Sequence, residues 1–256
     1  MSHFVVGVIV EKDLPIKEQI ENILAPYDEN LEVDKYVCRD REDILEEMLD
    51  RRDSLIDLDY DDLDEEDQFL VDAETDEDIL KYYADFWAET ELDEDGNELS
   101  TYNPNSKWDW YEVGGRWRDI LYDKAYNKMT SWCRIGDIDF NKCVKMSEED
   151  ARYLWEVAVL GLHKNEEKAK ELFILWKPEY YIERYGNIEN FIKVKTTFAL
   201  YAIADKDGWH QKGQMGWFGC DDSTLESELK FLDKFQEYMN DEKNQDKVLI
   251  IVDCHI

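Results

Sequence analysis

His3-Phe4-Val5-Val6-Gly7-Val8-Ile9-Val10 decides the fold. The run is β-branched and apolar at odd and even positions alike, so as a strand it buries both of its faces. Glu11-Lys12-Asp13 ends it. A second run of the same kind, Val248-Leu249-Ile250-Ile251-Val252, continues into Asp253-Cys254-His255-Ile256. Strands apolar on both faces belong in the middle of a sheet. Both termini are therefore expected as inner strands, close in space.

Outward from these strands, residues 15–24 begin with Pro15 and place Ile16, Ile20, Ile23 and Leu24 on one helical face. Residues 31–38 read as a strand, and Asp95-Gly96-Asn97 as a turn. Ser147, with Asp150 three residues on, reads as a helix cap ahead of Tyr153, Leu154, Val157 and Ala158. A helix is predicted over 165–176, stopping before Pro178, and another over 179–191 with an interruption near Gly186. Residues 196–204 read as a strand, with Asp207-Gly208 as the hairpin turn that follows. Leu225, Leu229, Leu232, Phe235 and Tyr238 recur at helical spacing over 223–239. This order predicts one α+β domain over 1–256. It would have a mostly antiparallel sheet with both termini as inner strands, helices on one face, and an acidic helical insertion at 42–98.

The 256 residues carry 63 Asp and Glu against 30 Lys and Arg, a formal net charge of −33. That field repels phosphate backbones and anionic membranes, so neither direct nucleic-acid binding nor membrane association is expected. The acidity is local. Residues 42–98 hold 26 acidic and three basic residues, a net of −23, which leaves −10 for the other 199. Ile44, Leu45, Met48, Leu49, Leu55, Ile56 and Leu58 recur there near helical spacing, as do Ile79, Leu80, Tyr83, Phe86 and Trp87. Both runs read as amphipathic helices with acidic outer faces. Between them Asp57, Asp59, Asp61, Asp62, Asp64, Glu65, Glu66 and Asp67 form the densest stretch, expected to be mobile. Two readings stand open: a solvated face, or a surface that mimics nucleic acid or docks a basic partner. The five cysteines are scattered without a C-x-x-C pair, and no apolar run reaches membrane-spanning length. A cytoplasmic protein is expected.

The most distinctive segment is Asn103-Pro104-Asn105-Ser106-Lys107-Trp108-Asp109-Trp110-Tyr111-Glu112-Val113-Gly114-Gly115-Arg116-Trp117. Gly114 and Gly115 permit positive φ and close backbone approach. Trp108, Trp110 and Trp117 around Arg116, with Asp109 nearby, read as a stacked guanidinium cage for a flat or anionic ligand, or as structural packing. Gly213-Gln214-Met215-Gly216-Trp217-Phe218-Gly219 has glycines among aromatics but lacks the order of a phosphate loop. Trp217 joins the ligand candidates. Asp253 and His255 share a strand face, so Asp253 can orient His255 for acid–base chemistry. Cys254 points the other way and forms no dyad with His255. His210, beside the hairpin turn, is a second acid–base candidate. His3 and His255 are expected at opposite ends of their strands, so no metal pair is expected, and no motif implies a cofactor.

These segments together resemble an uncharacterised bacteriophage and prophage protein family. The resemblance is carried by His3-Phe4-Val5-Val6, by Leu24 to Val33, by the Asn103 to Trp117 motif, by Met215 to Gly219 and by Val252 to Ile256. It implies a phage-encoded, non-virion accessory protein acting in the host cytoplasm, and it supplies no mechanism. Two functions follow as expectations. One is binding and modulation or inhibition of a host protein, for instance a defence component, through the acidic surface. The other is a nucleotide-like small-molecule binding protein or enzyme using the Trp-rich segment. A structural virion component is disfavoured by the absence of repeats.

Overall fold

The two apolar runs do pair. A computed structural model of the protein describes residues 2–163, 165–172, 174–216 and 219–256. In chain order the main elements are β1 (His3–Val10), α1 (Ile16–Leu24), β2 (Tyr36–Arg39), α2 (Arg41–Ile56), α3 (Glu65–Val71), α4 (Asp76–Tyr82), β3 (Glu91–Leu92), β4 (Glu98–Ser100), β5 (Trp110–Val113), β6 (Leu121–Asp123), β7 (Lys128–Thr130) and β8 (Trp132–Arg134). They continue as α5 (Phe140–Cys143), α6 (Glu148–Ala158), α7 (Glu167–Lys170), α8 (Pro178–Tyr185), α9 (Ile188–Thr196), β9 (Ala202–Asp205), β10 (Gly208–Gln211), α10 (Leu225–Asn240) and β11 (Val248–His255).

In place of the single domain expected over 1–256, the chain divides into two compact units. One joins Met1–Glu29 to Asn105–Ile256, and the other is Asn30–Pro104. The fold is α+β. The first unit holds a mixed sheet in the order β10-β9-β1-β11-β5, with β8 also on β11. β1 and β11 run antiparallel from His3↔His255 to Val10↔Val248. Only the β1–β9 pairing is parallel among those of this sheet.

Side-chain alternation sends the two central strands into two cores. Phe4, Val6, Val8 and Val10 pack with Val248, Ile250, Val252 and Cys254 under Ile20 and Leu24 of α1. Ile9, Leu249 and Ile251 pack on the opposite side with Phe231, Phe235 and Met239 of α10. Helices on one face are thus corrected to helices on both. Strands that are apolar at both parities leave no face that could stay wet. Gly7 lies where a Cβ would come within 2.6 Å of Leu200 and 2.7 Å of Leu249.

Three other expectations change. The helix over 165–176 shrinks to α7, because Leu175 and Trp176 stay exposed and give no buried stripe to anchor it. The strand over 196–204 shortens to β9, because the buried Phe191 and the Asn187 cap carry α9 through Thr196. The strand over 31–38 is confined to β2, Tyr36–Arg39, which pairs with β4. Gly186 does interrupt the helix after Tyr185, at φ +71°.

The second unit has its own core of Ile44, Met48, Leu55, Leu70, Ile79, Leu80, Tyr82 and Tyr83. The stretch expected to be mobile is a 3₁₀ turn over Tyr60–Asp62 followed by α3. Its carboxylates build that structure. Asp59 and Asp64 cap the two elements. Asp67 accepts from Arg51 at 2.6 Å and from the Tyr82 hydroxyl at 2.9 Å. Burial, then the Glu98 hydrogen bond, pushes the Tyr83 phenol up to about 12.

Candidate functional site

The antiparallel pairing brings the start of β1 beside the end of β11. Ser2 and Ile256 exchange both backbone hydrogen bonds, at 2.7 and 3.0 Å. The next pair along, His3 and His255, is therefore of the non-hydrogen-bonded type, in which side chains approach most closely. Their rings lie 4.9 Å apart at 77°. The expectation that they fall at opposite ends of their strands is wrong. In an antiparallel pair, the first residue of one strand faces the last residue of the other.

Each ring is held by its own carboxylate. His3 Nδ1 lies 2.9 Å from Asp253 Oδ1, and His255 Nδ1 lies 2.7 Å from Asp109 Oδ1. An ionised carboxylate only accepts, so Nδ1 donates in both pairs. That fixes both rings and leaves proton exchange or lone-pair donation to Nε2. Among the described residues, no hydrogen-bond partner meets either Nε2. His163 contrasts, with Nδ1 on Glu166 and Nε2 on Glu156.

Asp253 is only 2% exposed, and both of its oxygens are used. Oδ2 accepts the Arg116 backbone N–H at 2.9 Å. The turn that delivers this N–H passes through Gly115 at φ +45°, where a Cβ would stand 2.4 Å from Asp253 Cβ. A residue with a side chain would push the carboxylate off its place, so the glycine is required by approach as well as by φ. The Gly114-Gly115-Arg116 turn therefore acts on Asp253, and through it on His3.

Trp110 completes the row across three strands. It is paired in register with His255 and is 43% exposed. Its ring stacks on His255 at 5.1 Å and 18° and meets His3 edge-on at 5.3 Å and 82°. The Arg116 side chain is exposed, and Glu112 stands opposite Asp253 in the register. Ser2 ties in the glycine-aromatic loop. Its hydroxyl donates to the Gly216 carbonyl and accepts from the Gly219 N–H, both at 2.8 Å. Trp217 lies outside the described residues. The three segments singled out in the sequence thus converge on the His3–His255 end of the sheet.

The tryptophan cage does not form. Trp108 is 7% exposed in the core beneath α1, where its indole N–H donates to the Leu24 carbonyl at 3.2 Å. Trp117 packs with the core on the opposite side of the sheet. Only Trp110 stays at the surface beside the histidines. His210 is exposed on β10, an edge strand separated from β11 by β9 and β1. There it lines a cavity of about 320 Å³ with Ile203, Phe231, Lys234 and Tyr238, away from His255. Cys254 is fully buried on the α1 side, and burial pushes its thiol up. Of the acidic set, Asp57, Asp59, Asp61, Asp62, Asp64, Glu65 and Glu66 are exposed, while Asp67 is turned into its contacts with Arg51 and Tyr82.

Sequence reading did not include His3 among the site residues. The signal was present: pairing the two apolar runs antiparallel sets residue 3 against residue 255. Among the described residues no helix is long and apolar enough to cross a membrane. Among them too, no group of three or more His, Cys, Asp or Glu stands where it could hold a metal ion. Comparison with known protein families, characterised proteins and solved structures found no match to this chain.

Proposed function

We propose that the protein is an acid–base enzyme acting on a phosphate-bearing, nucleotide-like small molecule at the His3–His255 pair. One observation carries the reading. Two imidazoles lie side by side, each fixed through Nδ1 by a separate carboxylate, with Nε2 left for proton exchange. In phosphoryl transfer, a neutral Nε2 takes the proton of the attacking hydroxyl or water as the new P–O bond forms. A protonated Nε2–H gives its proton to the leaving oxygen as the old P–O bond breaks. Positioned general acids and bases contribute about 10²–10⁴-fold each. Trp110 offers an exposed ring face to a base, and the Arg116 guanidinium offers the phosphate a planar cation. Asp253 and Asp109 are positioning residues. The test is turnover of a panel of nucleoside mono-, cyclic and diphosphates in the presence of chelator. Cleavage with a bell-shaped pH profile of kcat/KM is expected. The reading is abandoned if no member is turned over and none shifts the His3 and His255 Cε1–H resonances.

A second reading keeps the acidic unit as a docking module. A separate compact unit that holds the −23 stretch supports it, and so does the resemblance to phage accessory proteins. The partner would be a host protein with a basic surface. Capture from host lysate at 50 mM salt, lost by 300 mM, is expected, because screening shortens the reach of surface charge. Capture of no basic protein at low salt would sink it.

A further inference from the structure

We infer that the cleft between α1 and the β5–β8 edge of the sheet is a small-molecule site for a flat, largely apolar ligand bearing one cationic amine. It goes beyond the acid–base reading, because it lies on the other side of the sheet from His255.

Strand register makes the cleft. β5 and β8 both pair with β11, one beyond the other along it, with Val113 opposite Val252 and Trp132 opposite Ile250. Residues directly opposite in an antiparallel pair share a face. Ile250, Val252 and Cys254 belong to the core under α1, so their partners Trp132, Val113 and Tyr111 face that side as well. α1 packs over β1 and β9. The far edge stays open: Val113 is 49% and Trp132 57% exposed, while Val252 and Ile250 are buried. What results is a cavity of about 460 Å³ lined by Ile20, Ile250, Tyr111, Val113 and Trp132, with Lys17 and Glu21 of α1 also on it. That volume falls within the range of ligand pockets, about 300–1,000 Å³.

Three features choose the ligand. Trp132 and Tyr111 give a flat apolar body aromatic surface to pack on. The Tyr111 hydroxyl has no hydrogen-bond partner among the described residues. Burial, then the nearby charge of Glu21, pushes that phenol up. It therefore keeps its proton, and its oxygen can accept from an ammonium. Glu21 supplies the opposite charge. Its ion pair is with Lys17 of the same helix, at 3.7 Å, and that lysine is 90% exposed. Such a surface pair is weak, so a ligand amine can take the place of Lys17 at the carboxylate. The same rings that pack the apolar body also attract a cation. An anionic ligand would meet Glu21 and the field of a chain with net charge −33.

The test is titration of the full chain with three probes that share one ring system: tryptamine, indole and indole-3-acetate. Binding is followed through the methyl resonances of Ile16, Ile20 and Ile250, which line the cleft. Tryptamine is expected to shift these methyls with a midpoint below about 1 mM. Indole should bind about tenfold more weakly, and indole-3-acetate more weakly still. Glu21→Gln should weaken tryptamine about tenfold and leave indole unchanged. Val113→Trp, at an exposed position, should fill the cleft and abolish binding of both. Circular dichroism checks that each variant is folded. No methyl shift with any probe up to about 10 mM overturns the site, as does binding that Val113→Trp retains. Indole-3-acetate binding as tightly as tryptamine, or tryptamine binding unchanged in Glu21→Gln, overturns the cationic ligand. None of these results touches the acid–base reading, which turnover at the histidine pair tests separately.

Discussion

His3→Asn and His255→Asn are each expected to lower kcat/KM on the cleaved phosphoester by about 10²–10⁴-fold. Little change in thermal midpoint should accompany the loss. The reason lies in what Asn keeps. Asp253 is buried and relies on His3 Nδ1 for one of its oxygens. Alanine would strand that oxygen, at a cost of about 1–3 kcal/mol, and confuse a catalytic loss with a folding defect. An Asn amide can take over the donation while the exchanging nitrogen disappears. The double variant should lose little more than the worse single one, since groups that act as a unit are not additive. The pH profile separates the roles, because losing the base removes the acidic limb of the bell and losing the acid removes the alkaline limb. A single variant with wild-type kcat/KM would remove that histidine from the chemistry.

Phe235→Ala is expected to destabilise the first unit by about 3–5 kcal/mol, read as a drop in urea midpoint with unchanged slope. Phe235 is 0% exposed and lies among Phe140, Phe198 and Phe231 at centroid distances of 6.1–6.3 Å. With Phe231 and Met239 it closes α10 onto the face of the sheet that carries Ile9, Leu249 and Ile251. Total stabilities of about 5–15 kcal/mol make this a large fraction. Phe86→Ala is the comparison, since Phe86 is 39% exposed and should cost under about 1 kcal/mol. Equal effects from the two would mean that the aromatic cluster does not hold this face.

The parts of the fold that were legible share one property: their signal is local or compositional. The terminal strands announced themselves by apolarity at both parities. The helix at 147 did so by its Ser147–Asp150 cap, which forms as read. Asp207-Gly208 marked a hairpin, and the turn falls one residue earlier, on Lys206-Asp207, with Gly208 opening β10 opposite Asp205 at φ +141°. What local signals could not carry was which residues meet. Trp108, Trp110 and Trp117 look alike in sequence, yet tertiary packing sends the first to one core, the last to the other, and leaves the middle one beside the histidines. The acidic stretch was read for its charge, while Asp59, Asp64 and Asp67 spend their carboxylates on caps and on Arg51. The histidine pair was missed by geometry rather than by lack of signal. Cross-strand neighbours follow from strand direction, and the antiparallel direction alone sets residue 3 against residue 255.

The central ladder has a cost in time. Its site contact, His3 to Asp253, spans 250 positions of sequence. At about 5–20 residues per second, a ribosome needs roughly 13–50 s to deliver β11 after β1 has emerged. Through that interval β1, apolar on both faces, has no β11 to pair with and is an aggregation hazard. The histidine pair therefore cannot assemble until β11 has been made, long after His3 itself.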